Sequence, residues 1–235
     1  MIYNFFTSFL FLFASFSTTT APHIDPPKQI ASATVTAESK IASVYSSLKG
    51  NSFALPEFES FSKAVKGFYL LKEQGVVKKD ILTLIDFSKS SNTKRLWIID
   101  MATKTVLYNS LVSHGRNSGD EFATSFSNEG SSFKSSLGFY ATGEIYQGKH
   151  GSSLRLDGLE KGINNNARSR GVVIHAADYV CDNFIKQHRR LGRSQGCPAL
   201  PNNLTKEIIT LIKDKSCLFI YHPSGSYQQA SKLLS

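Results

Sequence analysis

The sequence is poor in residues that bind metal ions or form disulfide bridges. It has three cysteines and six histidines among 235 residues, and neither the Cys-x-x-Cys pattern nor the paired Cys and His spacings of zinc sites is present. We therefore expect no structural metal. A bridge between Cys181 and Cys217 would leave Cys197 free, but two unpaired and buried thiols are the expected state of that pair.

Long apolar runs are also missing, apart from one at the amino terminus. Residues 5–16 are mostly apolar. This run has the length of a signal-peptide core and is too short to span a membrane readily. No Lys or Arg precedes this run, and Pro22 follows the last small residue, Ala21. An uncleaved anchor and a buried strand are therefore alternatives to the secretory signal that we favour. We expect an exported protein with no membrane span once the signal is removed.

Acidic residues are outnumbered by basic residues. The chain has 18 Asp and Glu against 27 Lys and Arg, which gives a formal net charge of +9. A basic surface favours polyanionic partners, and both nucleic acid and the carboxylate-rich bacterial cell wall have this character. Because an export signal is predicted, we expect the cell wall and no nucleic-acid partner.

Helical periodicity is confined to the first part of the chain and one later segment. Residues 37–48 and 56–74 place apolar side chains at helical spacing, and a glycine follows each stretch. A stretch rich in Pro, Ala and Thr precedes them and predicts a linker. We divide the chain into a signal peptide (1–21), a linker (22–36), a helical accessory segment (37–79) and a mainly β domain (80–235).

From residue 80 the pattern is that of β-strands. Short segments rich in Val, Ile, Leu and aromatic residues alternate with polar turns, which is typical of hairpins. Residues 115–129 are polar and predict a long loop, and residues 204–213 have helical spacing. Strands are predicted at residues 81–87, 95–100, 105–113, 136–143, 153–156, 172–175 and 217–221.

One stretch, residues 171–201, carries the residue types of a nucleophilic site. It reads GVVIHAADYVCDNFIKQHRRLGRSQGCPALP. His175 ends a short apolar run, and Cys197 lies among polar and turn-forming residues, which indicates exposure. A cysteine becomes an efficient nucleophile when a neighbour takes its proton, and a histidine with an ordinary pKa of about 6.5 can take it. Cys217 lies in an apolar run and is expected to be structural. A triad through Asp178 would require a helical turn and is not expected.

Residues beside the cysteine complete the predicted site. Gly196 has no side chain to keep a substrate carbonyl away from the backbone. The N–H groups of Gly196 and Cys197 are candidates for an oxyanion hole, which would stabilise the charge that develops on that carbonyl. The candidates for binding substrate lie on the same loop: Arg193, Ser194 and Gln195.

Other polar residues are weaker candidates. His114 follows a predicted strand and is expected to be a hydrogen-bonded structural group. His150 lies in a turn from which it could touch substrate. Arg155 either holds a substrate carboxylate by a bidentate contact or pairs with Asp157 or Glu160.

These blocks resemble the L,D-transpeptidase catalytic domains of bacterial cell walls. The resemblance is to the murein L,D-transpeptidase catalytic-domain family, the second YkuD-like subgroup. It covers roughly residues 81–222 and rests on three segments, SNEGSSFKSSLGFY, YQGKHGSSLRLDGLE and GRSQGCPALP. It implies a β-sandwich catalytic domain in which Cys197 is the nucleophile, His175 is the base and the backbone carbonyl of Ala176 orients the ring. Gln195 stands where the commonest motif has histidine, which bears on substrate orientation and turnover.

The resemblance also implies a reaction. An exported L,D-transpeptidase acts on peptidoglycan stem tetrapeptides through a thioester on Cys197, releases D-alanine and forms 3→3 cross-links without a cofactor. An L,D-carboxypeptidase, in which water opens the same thioester, is one alternative. A wall-binding protein without activity is another, motivated by Gln195. A papain-like protease normally places its cysteine before its histidine, and the order here is the reverse.

Overall fold

The computed structural model describes Met1 and residues 38–234. Apart from Met1, the predicted signal peptide and linker lie outside the described residues. In the part of the chain that is described, no helix is both long enough and apolar enough to span a membrane.

Residues 38–234 form five helices and eight strands. In chain order they are α1 (38–46), α2 (Phe58–Glu73), β1 (Ile81–Asp86), β2 (Leu96–Asp100), β3 (Thr105–Ser110), β4 (Gly138–Gly148), β5 (Gly151–Gly158), β6 (Val173–Ala176), α3 (Asp182–His188), β7 (Ala199–Leu200), α4 (Asn202–Ile212), β8 (Cys217–Tyr221) and α5 (Gly225–Ala230). Every predicted strand has a counterpart. Strand β7 and helices α3 and α5 were not predicted, because they have between two and seven residues each and are too short for a periodic pattern.

The strands form one mixed sheet. Their order is β3-β2-β1-β8-β4-β5-β6-β7, and neighbours are antiparallel except for β1 with β8 and β6 with β7. Strands β1 and β8 lie inside the sheet and are buried along nearly their whole length. Because both of their faces are covered, their sequences are continuous apolar runs instead of an alternation of apolar and polar residues.

The two outer strands of this order are brought together by the chain that follows β3. Ser113 N–H donates to the Ala199 carbonyl of β7 at 3.0 Å, and Ser194 N–H donates to the His114 carbonyl at 3.0 Å. Arg116 N–H in turn donates to the Ser194 carbonyl at 2.8 Å. The sheet is thereby bonded back on itself, so the predicted mainly β, sandwich-like fold with N-terminal helices is confirmed.

Helix α2 packs its apolar stripe onto the sheet. Phe61, Val65 and Phe68 follow one another at helical spacing and are fully buried in the main core. Gly67 lets β4 approach closely, because a Cβ there would lie 2.1 Å from Phe139 Cζ. The predicted helical segment therefore shares its core with the sheet, and the predicted boundary at residues 79 and 80 stays a prediction.

A buried carboxylate fastens the carboxyl-terminal end of the chain to β4. Glu160 accepts the Phe139 N–H at 2.7 Å and the Tyr227 hydroxyl at 3.1 Å, and Ser231 donates to its other oxygen. Burial raises the pKa of the Glu160 carboxyl above its ordinary value. Glu160 therefore has a structural role in the second of the three resemblance segments.

Candidate active site

One cavity of about 560 Å³ holds the candidate nucleophile and base together. It lies among the chain that follows β3, the β4–β5 hairpin, β6 and the loop that precedes β7. Cys197 and His175 both line it, as do Arg193, Ser194 and Gln195. The sheet thus brings together two residues that are 22 positions apart, because β6 carries one, the chain entering β7 carries the other, and His175 is in register with Ala199.

His175 is held in one orientation by the backbone. It is buried, with 4 % of its surface exposed, and its Nδ1 lies 2.9 Å from the Ala176 carbonyl oxygen. A carbonyl only accepts, so this bond assigns the proton to Nδ1 and leaves Nε2 as the acceptor of the neutral ring. The Ala176 contact is the one that the family resemblance implies.

A second imidazole covers the first. His150, in the turn between β4 and β5, stacks on His175 with ring centroids 4.4 Å apart and planes inclined by 23°. Burial lowers the pKa of His175 below its ordinary value, and a positive charge on His150 lowers it further. His175 is therefore a neutral base at physiological pH. His150, which was expected only to reach substrate from a turn, lies against the base itself.

Cys197 is half-buried and has two backbone neighbours. Its Sγ accepts the Val173 N–H at 3.4 Å and lies 3.7 Å from the Gly171 carbonyl oxygen, to which the thiol donates. Burial raises the pKa of the Cys197 thiol, while the Val173 N–H and the charge of Arg170 lower it. Because the pKa is raised on balance, the resting group is the thiol and a base is needed to activate it.

Ser194 folds the cysteine loop into a tight turn. Its Oγ donates to the Cys197 carbonyl at 2.6 Å and accepts the Gly196 N–H at 3.0 Å. Gly196 has a φ of +121°, and a Cβ on it would lie 2.8 Å from the Lys134 carbonyl oxygen. Ser135 fixes the same glycine from outside by donating to its carbonyl at 3.0 Å. Glycine is thus required here by backbone conformation and close packing.

These contacts bear on the predicted oxyanion hole, which stays a prediction. The Gly196 N–H was expected to be one of its two donors, but it already donates to Ser194 Oγ. The Cys197 N–H donates no hydrogen bond within the described residues. In this conformation the backbone therefore offers the N–H of Cys197, and not that of Gly196, to a substrate oxygen.

The predicted substrate-binding residues lie in different surroundings. Arg193 donates to the Gly119 carbonyl at 2.8 Å and pairs with Asp120 at 3.1 Å, so its guanidinium is already partly engaged. Ser194 is buried within the loop, whereas Gln195 is exposed at the cavity. Arg193 and Gln195 therefore remain the candidates for contact with substrate, and Ser194 shapes the loop.

Arg155 does not line the cavity. Its Nε lies 3.1 Å from Glu144 Oε1, and its guanidinium stacks 4.2 Å from the centroid of the Tyr146 ring. The ion pair weighed as an alternative to substrate binding is therefore present, but the partner is Glu144 instead of Asp157 or Glu160. Asp157 pairs with Arg168, and Glu160 is buried elsewhere.

Arg170 is a cavity residue that no pattern in the sequence indicated. Its guanidinium donates to the carbonyls of Ser127 at 2.8 Å and Lys134 at 2.7 Å, and to the Ser136 hydroxyl at 2.8 Å. It thus fastens the loop before β4 to the chain that precedes β6 and places a positive charge near Cys197. The first resemblance segment includes this loop, but the arginine that fixes it lies more than thirty residues later, just before β6.

Two other polar residues have structural partners. Arg95 Nη2 lies 2.8 Å from His114 Nδ1, and both residues are buried, so His114 is structural as expected. Asp178 accepts a hydrogen bond from Asn202 and makes none with His175.

Cys181, Cys197 and Cys217 are all free thiols, and Cys181 is partly exposed instead of buried as expected. No three His, Cys, Asp or Glu side chains within the described residues are arranged to hold a metal ion.

A family model described as the L,D-transpeptidase catalytic domain matches residues 54–221. The match covers most of the chain, begins ahead of α2 and ends with β8. No curated protein matches the chain.

Several solved structures are similar to part of the chain. An L,D-transpeptidase from Mycobacterium smegmatis has 12 % identity and a TM-score of 0.39, with 61 % of this chain and 59 % of that chain covered. The helical cell shape determining protein Pgp2 from Campylobacter jejuni has 16 % identity and a TM-score of 0.42, with 73 % and 61 % covered. An L,D-transpeptidase from Enterococcus faecium has 12 % identity and a TM-score of 0.34, with 61 % and 50 % covered. The chain thus spans less than two thirds of the length of each of them.

Proposed function

The chain belongs to the L,D-transpeptidase catalytic-domain family, and on that basis we propose that it is an exported, cysteine-dependent peptidoglycan L,D-transpeptidase that forms 3→3 cross-links. The observation that supports this most is the shared cavity of Cys197 and His175. The Ala176 carbonyl holds the His175 Nδ1 proton, so Nε2 is left to accept a proton from the thiol.

The first half of the proposed reaction forms a thioester. As Cys197 Sγ attacks the carbonyl carbon of the third stem residue, its proton passes to His175 Nε2. The carbonyl oxygen becomes an oxyanion and accepts the Cys197 N–H. When the tetrahedral intermediate collapses, the carbon–nitrogen bond to the terminal D-alanine breaks, and the imidazolium gives its proton to the departing amine.

The second half transfers the acyl group to an amine. The side-chain amine of a third residue in another stem attacks the thioester carbon. His175 takes a proton from that amine and returns it to Sγ as the carbon–sulfur bond breaks. The product is a 3→3 cross-link, and the enzyme regains its thiol. If water attacks instead, the product is a tripeptide, which is the carboxypeptidase outcome.

The charges around the pair favour base catalysis from a neutral resting state. Burial raises the pKa of the Cys197 thiol and lowers that of the His175 imidazole, so both shifts disfavour a resting thiolate–imidazolium pair. The Val173 N–H and the positive charge of Arg170 stabilise the sulfur as it becomes negative. The proton transfer is therefore expected to accompany the attack of sulfur instead of preceding it.

The test is one incubation with several variants. The purified full chain is mixed with disaccharide-tetrapeptide fragments, and the products are identified by mass spectrometry. The native chain is expected to give a dimer that has lost one D-alanine, and Cys197→Ala and His175→Ala are expected to lower the rate on the order of a thousandfold or more. Cys181→Ala removes a partly exposed thiol outside the cavity and is the matched control.

Other results would change the proposal. A tripeptide without dimer would mean the carboxypeptidase, and no change in any sample with folded protein would mean the inactive wall-binding protein.

Export has its own test. Recovery of the protein from the cell envelope with a mass that corresponds to removal of the first 21 residues would support it, and an uncut chain in the cytoplasm would contradict it.

A further inference from the structure

Among the described residues, those that line the cavity of Cys197 and His175 include several basic side chains and no carboxylate. Four of the lining side chains are arginine or lysine: Arg116, Lys149, Arg170 and Arg193. Of these, only Arg193 pairs with a carboxylate among the described residues, with Asp120 at 3.1 Å. Three positive charges therefore face the cavity without a neutralising partner in the part of the chain that the structure describes.

Arg116 is arranged to bind a planar anion. Its guanidinium lies 4.0 Å from the centroid of the Phe133 ring and is otherwise exposed. Contact with the ring restricts the position of the guanidinium, while its N–H groups, which donate no hydrogen bond among the described residues, can bind a carboxylate in a bidentate manner. The arginine is thus held in place without its hydrogen-bond donors being used.

Lys149 brings a second free cation to the cavity from a different element. It lies beside His150 in the β4–β5 turn, and it is exposed. A lysine ammonium on a flexible stem is a point charge that can follow an anion over several ångströms. Arg116 and Lys149 therefore reach the cavity from two separate segments, the chain after β3 and the hairpin.

Arg170 adds positive charge that its own contacts do not neutralise. Its partners are the carbonyl oxygens of Ser127 and Lys134 and the hydroxyls of Ser132 and Ser136. Carbonyls and hydroxyls satisfy the donors but carry no full negative charge. In a concave site with low-dielectric walls, such unbalanced charge attracts anionic ligands strongly.

On the basis of the acyl donor proposed above, we propose that this cavity selects stem tetrapeptides whose carboxylates are free over those in which they are amidated, with Arg116 and Lys149 as carboxylate-binding residues. A stem of this kind carries a carboxylate on its terminal D-alanine and one on its γ-linked glutamyl residue. It carries a third when the diamino acid is a diaminopimelate. Converting a carboxylate to its amide keeps the shape and removes the charge, so a cationic site is expected to bind the acid more tightly than the amide.

The inference is tested by binding to the Cys197→Ala variant, which cannot form the thioester. Calorimetric titration compares the free-acid tetrapeptide with forms amidated on the glutamyl residue, on the diaminopimelyl residue and on both. The free acid is expected to bind roughly tenfold tighter for each carboxylate that pairs with a cation. Added salt is expected to narrow the difference, because part of it is screened.

Measuring the affinity of each variant for each peptide identifies which cation binds which carboxylate. In the Cys197→Ala background, Arg116→Gln and Lys149→Gln are each expected to weaken binding of the free acid roughly tenfold. Each is expected to leave unchanged the binding of the peptide that lacks the matching carboxylate. Lys161→Gln, at an exposed lysine outside the cavity, removes the same charge and is expected to change neither affinity.

Two results would overturn the carboxylate selection. One is equal affinity for free and amidated peptides, and the other is an equal loss for Lys161→Gln, which would indicate only the overall charge of the chain. Failure of the proposed function looks different. If the native chain turns over neither peptide while Cys197→Ala still prefers the free acid, the reaction is wrong and the selection stands.

Discussion

His175 lies between two groups that act on it in different ways. The Ala176 carbonyl at 2.9 Å fixes the proton on Nδ1, and the stacked ring of His150 covers one face. The carbonyl favours a protonated Nδ1, whereas burial and the charge of His150 disfavour the doubly protonated ring. His150 therefore influences the pH range over which His175 can act as a base.

Replacing His150 tests this influence. A base whose pKa is lowered stays neutral, and so active, to lower pH. His150→Ala removes both the covering ring and its charge, so the pKa of His175 rises and the acid limb of kcat/KM moves to higher pH. His150→Phe keeps a ring and removes only the charge, so a smaller shift is expected. A pH–rate profile that is identical in native protein and His150→Ala would contradict this role.

Gly196 is the residue whose backbone the site depends on most. Gly196→Ala places a side chain at a φ of +121° and 2.8 Å from the Lys134 carbonyl. We expect the unfolding free energy to fall by about 1–3 kcal/mol and turnover to be largely lost, because Cys197 is displaced. Gly130→Ala, at a glycine with nothing within 4 Å of its Cβ, is the control. Urea unfolding and turnover should separate the two variants, and normal activity of Gly196→Ala would refute the constraint.

Among the elements, α2 is tied to the sheet by one close approach. The helix lies on β1 and β8, and its Gly67 faces Phe139, whose ring stacks on Phe219 with centroids 4.1 Å apart. The stacked pair lies at the junction of β4 and β8. A side chain at residue 67 would therefore displace Phe139 and disturb the packing of β4 and β8 in the middle of the sheet.

In Gly67→Ala, helix propensity and packing act on stability in opposite directions. Alanine favours a helix over glycine by about 1 kcal/mol, but its Cβ would lie 2.1 Å from Phe139 Cζ, and overpacking of this kind costs about 1–3 kcal/mol. We expect a net loss of stability in urea unfolding. Gly225→Ala, in α5 with nothing within 4 Å of its Cβ, is expected to be neutral or stabilising. A stabilised Gly67→Ala would show that the helix moves freely on the sheet.

At the scale of the whole molecule, three of the histidines that the structure describes are held in surroundings that disfavour their charged forms. Burial lowers the pKa of His175 and His222, and burial together with Arg95 lowers the pKa of His114 to about 3. The unfolded chain binds a proton on each near pH 6.5, whereas the folded chain binds it only at lower pH. The unfolded state therefore binds more protons as the pH falls, so acid destabilises the fold.

The unfolding free energy is expected to fall on acidification from neutral pH to about pH 4.5. His114 alone contributes a slope of about 1.4 kcal/mol per pH unit over much of this range. The raised pKa of Glu160 acts in the opposite direction, since the folded state holds that proton more tightly. Urea titrations at several pH values measure the slope, and His114→Gln should reduce it. An equal slope in both proteins would exclude His114 as a source.

Much of the fold follows from local patterns. The helical spacing of residues 56–74 and the apolar runs of β1 and β8 depend on near neighbours in the chain, and the structure has these elements. The family predicted from the three resemblance segments is also confirmed. The two-residue β7 has no such pattern, because it is a strand only through its pairing with β6.

The sequence alone determined a mainly β member of this family, with Cys197 and His175 as the candidate pair. Only the tertiary structure decided what surrounds that pair: the His150 ring stacked on His175, Arg170 near the thiol, and Ser194 occupying the Gly196 N–H. Residue type and spacing report which groups are present and how the nearby backbone folds. Which distant groups meet depends on how the strands pair and the sheet closes, and those long-range contacts have no local pattern in the sequence.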